Sequence, residues 1–154
     1  MFKRLTFVFK SNVESNFYSE QHTYQAINTF ILMKIQLQLE YFVFLLLGLF
    51  AFSQTELSWW WFAGLFLAPD ISMLGYVFNN KTGAFFYNLF HHLGLAVIIY
   101  LAGTFLSLPY LQMVGAIVFA HSAFDRILGY GLKYPDSFQN THLGRIGKDK
   151  KVGT

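Results

Sequence analysis

Four apolar segments constrain the fold of this chain more than any other feature of its sequence. They cover residues 35–52, 59–78, 83–106 and 111–130. Each segment is long enough to cross the hydrocarbon core of a bilayer, which takes about 17–25 helical residues. Charged residues make up only 12% of the chain, whereas a soluble domain carries about 25%. The sequence therefore predicts an all-α integral membrane protein with four transmembrane helices.

The basic residues predict how the four segments cross the membrane. Lys34 precedes the first segment, and Lys81 lies between the second and the third. Others follow the fourth segment: Lys133, Arg145, Lys148, Lys150 and Lys151. The turns after the first and third segments contain neither lysine nor arginine. Because cytoplasmic loops carry the excess of basic residues, we expect an up-down-up-down bundle with both termini in the cytoplasm.

The remaining sequence divides the chain into three parts. Residues 1–32 begin with the basic, aromatic run MFKRLTFVFK and lack the continuous apolar stretch of a secretory signal. We expect them to form an N-terminal extension that is either disordered or a short helix at the membrane interface. The four-helix transmembrane domain then covers residues 33–147, with a Gly-rich cytoplasmic segment at its end, and a basic tail covers residues 148–154.

Polar side chains interrupt all four predicted spans, although ionisable groups inside a membrane are costly and usually functional. Counted at about 1.5 Å per helical residue, they lie roughly 7–14 Å from the predicted cytoplasmic face. These residues are Glu40, Asp70, Asn88, His91, His92, His121 and Asp125. The outer half of the spans holds little that is polar beyond Thr104 and Gln112. We therefore expect one polar pocket, shared by four helices and open toward the cytoplasm.

Helical spacing indicates which of these side chains share a face. Asn88 precedes His91 and His92 by three and four residues, so one face can present Asn88 with either histidine. Adjacent helical residues differ by about 100° in direction, so we expect one of the two histidines to be structural. His121 and Asp125 are one turn apart and share a face. Such a pair can ligate one metal, or the carboxylate can orient the imidazole for proton transfer.

The donor types in the pocket favour a metal-dependent site. Imidazole nitrogens and carboxylate oxygens suit zinc or another divalent metal, and a metal-bound water can attack a lipid ester or amide. The predicted metal ligands are His91, His92, His121 and His142, and the predicted catalytic residues are Asp70, His121 and Asp125. We expect the lipid bilayer as a partner, a lipid or small molecule as the substrate, and a homo-oligomer as one form of the protein. We expect no nucleic acid, because the basic residues are not clustered with aromatic residues that stack on bases.

Basic residues near the predicted cytoplasmic face suit negatively charged partners. Arg126 can pair with Asp125 or with a lipid phosphate, or it can extend to the interface. We expect Lys133 and Arg145 to contact lipid headgroups. The Gly-rich segment that carries them is either a flexible tail or is folded back under the bundle by its aromatic residues. In the second case it brings His142 toward the pocket.

The same residues also fit two functions without hydrolysis. In a membrane scaffold, Asp70 caps a helix segment and Asn88 joins two helices. Glu40 then pairs with Lys34 or Arg126 near the interface. In a proton-linked transporter, buried histidine and aspartate relay protons, but the outer half of the spans lacks polar residues to continue the path. The metal site therefore ranks first, the scaffold second and transport third.

Three runs of sequence carry a resemblance to a known family. They are LAPDISMLGY, YNLFHHLGL and AHSAFDRILGYGLKYPDSFQNTHLGRIG. With them, the chain resembles the family catalogued as domain of unknown function 4260 over roughly residues 34–147. The resemblance implies a small integral membrane protein of a mostly bacterial family, and it leaves residues 1–32 outside the domain. The family name carries no activity, so the resemblance implies no catalytic residues.

Overall fold

The computed structural model describes the backbone of residues 2–147 and the side chains of residues 20–147. The described chain is mostly helical, which confirms the predicted helical class, with one small hairpin added. Its α-helices are α1 Phe2–Ser53, α2 Trp59–Leu65, α3 Asn80–Phe90, α4 Leu93–Phe105 and α5 Pro109–Leu128, with a 3-10 helix at Ala68–Val77. Two short strands, β1 Asn140–Thr141 and β2 Gly144–Arg145, form an antiparallel pair. The predicted basic tail, 148–154, lies outside the described residues.

The chain divides into two compact units, residues 1–37 and residues 38–154. The first unit is helical from Phe2 onward, and its described side chains are exposed. Whether the predicted extension, residues 1–32, lies at a membrane interface stays a prediction. The second unit contains the polar cluster described below.

Apolar helices of membrane-spanning length are present in the part of the chain that the structure describes. Glu20–Ser53 and Pro109–Leu128 are each long and apolar enough to cross a membrane. Asn80–Phe90 and Leu93–Phe105 qualify together, as a pair bent by 44° that is either a broken span or a re-entrant loop. The described residues therefore hold two or three candidate spans of a membrane protein, fewer than the four expected from hydropathy.

The second predicted span, residues 59–78, is not one continuous α-helix. Helix α2 ends at Leu65, and the 3-10 helix begins at Ala68 with Pro69 in its first turn. Proline has no N–H and its ring clashes with a preceding helical turn, so the α-helix stops before it. The break that the sequence predicts near Pro69 is therefore present, and it gives Asp70 a backbone conformation different from that of an α-helical span.

The third predicted span, residues 83–106, is also interrupted, at the two adjacent histidines. His91 ends α3, and His92 has an extended backbone with φ −86° and ψ 107°. The His92 Nδ1 atom accepts a hydrogen bond from the Leu95 N–H at 3.1 Å and so caps the start of α4. The predicted helical relation between Asn88 and His92 is therefore wrong, because the helix ends between them.

Small residues allow the helices around the cluster to approach closely. A Cβ atom on Gly115 of α5 would lie 2.5 Å from the backbone nitrogen of Tyr100 in α4. A Cβ atom on Gly75 would lie 3.1 Å from the Cα atom of Gly83, where the 3-10 helix packs on α3. These contacts hold α4 against α5 and the 3-10 helix against α3.

The Gly-rich segment after α5 is folded back onto α3. Gly129 ends α5 in the left-handed region at φ 91°, and the Tyr130 N–H donates to the Asp125 carbonyl at 2.8 Å. Both polar atoms of the Asn88 amide then hold the backbone of Lys133: Nδ2 donates to its carbonyl at 2.9 Å and Oδ1 accepts from its N–H at 2.7 Å. A bridge between Lys133 and Thr141 continues this segment into the hairpin. Of the two sequence alternatives for the segment, the structure has the folded one.

Candidate metal centre

Four side chains from three elements converge in the interior of the second unit. Asp70 comes from the 3-10 helix, His91 from the end of α3, and His121 and Asp125 from α5. One ligand atom from each residue lies within 4.8 Å of all the others. The two imidazoles and Asp125 are buried, whereas the Asp70 side chain is 32% exposed. The His/Asp cluster expected from the sequence is therefore present. Two of its residues, Asp70 and His91, lie where the second and third predicted spans are interrupted.

The distances from the two histidine Nε2 atoms to each other and to the carboxylates lie between 3.1 and 3.8 Å. The Nε2 atoms of His91 and His121 are 3.1 Å apart, and each lies 3.4 Å from the Asp70 Oδ1 atom. Asp125 has one carboxylate oxygen 3.4 Å from His91 Nε2 and the other 3.8 Å from His121 Nε2. A tetrahedral zinc site with metal–ligand distances of about 2.0–2.1 Å has ligand atoms about 3.3–3.4 Å apart. The cluster thus fits a divalent metal with two nitrogen and two oxygen ligands.

The surroundings of His91 direct its free lone pair into the cluster. Its Nδ1 atom lies 2.9 Å from the Tyr87 carbonyl oxygen, which can only accept, so Nδ1 carries the proton. In the neutral imidazole, Nε2 is then the unprotonated nitrogen, and it faces the other three ligand atoms. A histidine that donates through one nitrogen to a carbonyl and coordinates through the other is the usual arrangement at metal sites.

Two buried polar atoms of the cluster have no hydrogen-bond partner among the described residues. They are Asp70 Oδ1 and His121 Nδ1. A buried carboxylate oxygen is strongly destabilised unless it is hydrogen-bonded, paired with a charge or bound to a metal. Since Asp70 Oδ1 points between two imidazole nitrogens, a cation bound there would satisfy it.

The walls of the cluster are aromatic, and its edge opens beside Asp70. The rings of Phe66 and His121 meet edge to face with their centroids 5.4 Å apart. Asp70 also lines an open groove along the 3-10 helix whose other walls are mainly apolar: Leu67, Ile71, Met73, Leu74, Tyr76 and Val77. The most exposed ligand of the cluster therefore lies next to an apolar surface.

The profile of one protein family, described as a domain of unknown function, matches residues 34–146. The chain belongs to the DUF4260 family. All four residues of the cluster lie within the matched region, and residues 1–32 lie outside it. Comparison with curated proteins and with solved structures finds no significant match. The DUF4260 description assigns no activity, so the chemistry of the cluster has to be inferred from its geometry.

Arg126 stabilises the helix break of the DUF4260 domain through two backbone carbonyls. Its guanidinium donates to the Ser122 carbonyl at 3.0 Å and to the His91 carbonyl at 3.2 Å. The residue is only 6% exposed. Carbonyls in the last turn of a helix have no partner within the helix, so a buried arginine that binds one stabilises the end of α3. Of the alternatives that the sequence leaves for Arg126, a lipid phosphate and the interface both need an exposed side chain, whereas the structure buries Arg126 against backbone carbonyls.

Several predicted members of the pocket lie elsewhere in the described chain. His92 caps α4, and the His142 Nδ1 atom accepts from the Leu132 N–H at 2.8 Å, so neither joins the group of ligand atoms. Glu40 is exposed on α1, and the Asn88 amide holds the Lys133 backbone. His92, His142 and Asn88 each hydrogen-bond a nearby backbone group instead, either at a helix end or in the folded segment.

Lys133 is buried in an aromatic box, where it cannot contact a headgroup as predicted. It is 4% exposed, and its Nζ atom lies 3.9 Å from the ring centroid of Phe138, 5.0 Å from that of Tyr87 and 5.6 Å from that of Tyr130. Burial lowers the pKa of Lys133 to about 8, and the charge of Asp125 partly opposes that shift. Arg145 is exposed in β2 and stays a candidate for headgroup contact.

Sequence reasoning missed Tyr87. It is 1% exposed, its ring stacks on the His91 ring at a centroid distance of 3.9 Å, and its hydroxyl donates to Asp125 Oδ2 at 2.7 Å. The one available signal was its position, four residues before His91 and therefore one helical turn below it.

Proposed function

We propose that this DUF4260 protein is a metal-dependent membrane hydrolase that acts on lipids. In this proposal, His91, His121 and Asp125 hold a divalent metal such as zinc, and Asp70 serves as the general base beside it. One observation carries the proposal: the Asp70 Oδ1 atom lies 3.4 Å from the Nε2 atoms of both His91 and His121, and it has no hydrogen-bond partner among the described residues.

The division of roles follows from burial. Catalytic zinc sites have three protein ligands and keep a fourth position for water or substrate. His91, at the end of α3, and His121 and Asp125, on α5, are buried, whereas Asp70 on the 3-10 helix is one-third exposed. Asp70 therefore lies on the open side of the site, where its carboxylate can accept a proton from a water bound to the metal.

The chemistry of the proposed step is hydrolysis of an ester or amide. A bound zinc ion polarises a carbonyl and lowers the pKa of a water molecule. The water oxygen attacks the carbonyl carbon while its proton passes to the Asp70 carboxylate. The bond to the leaving oxygen or nitrogen then breaks, and Asp70 returns the proton to the leaving group. The products are a carboxylic acid and an alcohol or amine, and Asp70 ends in its starting state.

The apolar groove beside Asp70 supports a lipid substrate. Leu67, Ile71 and Leu74 each expose more than half of their surface next to the Asp70 carboxylate. An acyl chain lying against these side chains would bring its ester or amide carbonyl to the edge of the cluster. A water-soluble substrate would gain nothing from such a surface in a membrane protein.

Purified, zinc-loaded protein in vesicles tests the proposal. Two vesicle preparations, one with an ester-linked and one with an amide-linked fluorogenic lipid, are incubated with wild type and with Asp70→Asn. We expect release of the labelled fatty acid from one preparation, and its loss in Asp70→Asn with at least half of the zinc retained. No release from either preparation by zinc-loaded wild type would contradict the proposed hydrolase.

The arrangement in the membrane is part of the proposal. The distribution of lysine and arginine supports four crossings with both termini and the cluster on the cytoplasmic side. The chain has no cysteine, so single cysteines placed at Gln54, Lys81 and Ser107 can be labelled with a membrane-impermeant maleimide. Four crossings predict that Gln54 and Ser107 react from outside the cell and that Lys81 does not. Labelling of Lys81 from outside would exclude this arrangement.

A metal-free scaffold is the second candidate, and one distance favours it. The Nε2 atoms of His91 and His121 are 3.1 Å apart, so a proton on His121 Nε2 would make a direct hydrogen bond between the rings. In that case His121→Ala lowers the thermal unfolding midpoint of protein that holds no metal. If the substitution also removes a stoichiometric metal, the scaffold account is wrong.

A further inference from the structure

Tyr87 contacts two of the four cluster residues through two different groups. Its backbone carbonyl accepts from His91 Nδ1 at 2.9 Å, and its side-chain hydroxyl donates to Asp125 Oδ2 at 2.7 Å. We infer that Tyr87 is the positioning residue of the metal centre, setting the tautomer of one ligand and the orientation of another. The inference rests on the proposed metal site and goes beyond it, because it assigns a role outside the set of ligands.

The carbonyl contact determines which His91 nitrogen can coordinate. With the proton held on Nδ1, the lone pair of the neutral ring is on Nε2, which lies 3.1 Å from His121 Nε2 and 3.4 Å from Asp70 Oδ1. The Tyr87 ring stacks on the imidazole with only 11° between the ring planes. The plane of His91 and its protonation pattern are therefore both fixed by the same residue.

The hydroxyl contact fixes the Asp125 carboxylate. A buried carboxylate without a donor is free to rotate about its terminal bond, because that torsion has only broad minima. The phenol O–H holds Oδ2 in place on the His91 side, which leaves Oδ1 on the side of His121 at 3.8 Å. Since both partners are buried, this hydrogen bond is not exchanged with water and is stronger than an exposed one.

A buried cation next to the ring strengthens this donor. The Lys133 Nζ atom lies 5.0 Å from the centroid of the Tyr87 ring, within the range of a cation–π contact. A positive charge there draws electron density from the phenol oxygen toward the ring and makes its O–H a better donor to Asp125. Because Asn88 holds the Lys133 backbone by two hydrogen bonds, the folded C-terminal segment acts on the metal centre through Tyr87.

Tyr87→Phe separates the positioning role from packing. The variant keeps the ring that stacks on His91 and the carbonyl that binds its Nδ1 atom, and it removes only the hydroxyl. The matched control is Tyr100→Phe, since Tyr100 is a half-buried tyrosine of α4 whose hydroxyl donates to the Ala51 carbonyl at 3.2 Å and not to a residue of the cluster.

Zinc affinity and the cobalt spectrum of the full chain in detergent test the inference. Loss of a group that orients a ligand typically lowers metal affinity about 10–100-fold. We expect a loss of that size in Tyr87→Phe, measured by competition with a chelator of known affinity, and a shifted visible absorption of the Co²⁺ form. We expect Tyr100→Phe to match wild type in both measurements.

The outcomes separate the two proposals. Wild type that binds no metal overturns both the metal centre and the role of Tyr87. Wild type that binds metal, together with a Tyr87→Phe variant of equal zinc affinity and unchanged cobalt spectrum, overturns the role of Tyr87 alone. Should Tyr87→Phe not fold, 3-fluorotyrosine introduced at position 87 keeps the shape of the residue and strengthens the donor. A cobalt spectrum that is the same with and without this fluorine would contradict the inference.

Discussion

Replacing Asn88 by leucine should release the folded C-terminal segment from α3. The Asn88 amide makes two hydrogen bonds to the backbone of Lys133, at 2.9 and 2.7 Å. Leucine has the same branching at Cγ and makes neither. Each lost bond costs about 1 kcal/mol, so the two together cost about 2 kcal/mol. Because about 1.4 kcal/mol is a tenfold change in an equilibrium constant, the open form of the segment should become about 30-fold more populated.

Limited trypsin digestion of the detergent-purified protein measures this opening. The bond after Lys133 can be cut only when the segment leaves α3, and cleavage follows the population of the open form when opening and closing are fast. We expect the cleavage rate at this bond, followed by mass spectrometry, to rise about 30-fold in Asn88→Leu. Asn28→Leu, at an exposed position of α1, is the control and should leave the rate unchanged. Equal rates in wild type and Asn88→Leu would refute the conclusion that Asn88 holds the segment on α3.

Three further outcomes follow from packing and charge. Gly115→Ala places a methyl group against the backbone of α4 and should lower the unfolding free energy by about 1–3 kcal/mol, whereas Gly64→Ala, with open space around it, should not lower it. Lys133 has a folded-state pKa of about 8 against an ordinary 10.5, so unfolding takes up a proton between these values. The thermal midpoint of wild type should therefore rise from pH 8 to pH 10.5, and a Lys133→Met variant should lack that rise. Arg126→Met leaves the carbonyls of Ser122 and His91 unpaired and should lower the thermal midpoint by several degrees.

Local sequence rules were sufficient for the parts of the site that lie within one helix. The pairing of His121 with Asp125 follows from their spacing of one helical turn, and the break before Asp70 follows from Pro69. Composition and hydropathy were sufficient for the helical membrane class. These properties depend on residues that are close together in the chain, so they can be predicted from the sequence.

Helix ends and long-range docking account for what the sequence could not predict. Hydropathy continues through His91 and His92, so it gives no sign that the second histidine caps a new helix and turns away from the cluster. The sequence predicts Lys133 at the surface, because a lysine near a predicted membrane face usually reaches water. Its burial depends on Asn88, which lies 45 residues away in the chain and holds its backbone. Tyr87 was missed for a similar reason, since its hydroxyl acts on a different helix.

Metal analysis of the purified protein tests the central claim most directly. Wild type, His121→Ala and His92→Ala are purified in detergent without chelator, and their metal content per chain is measured by mass spectrometry. The metal centre predicts close to one zinc, or another divalent ion, in wild type and in His92→Ala, and a large loss in His121→Ala. Wild type without a stoichiometric metal after incubation with zinc, or equal binding by His121→Ala, would contradict it.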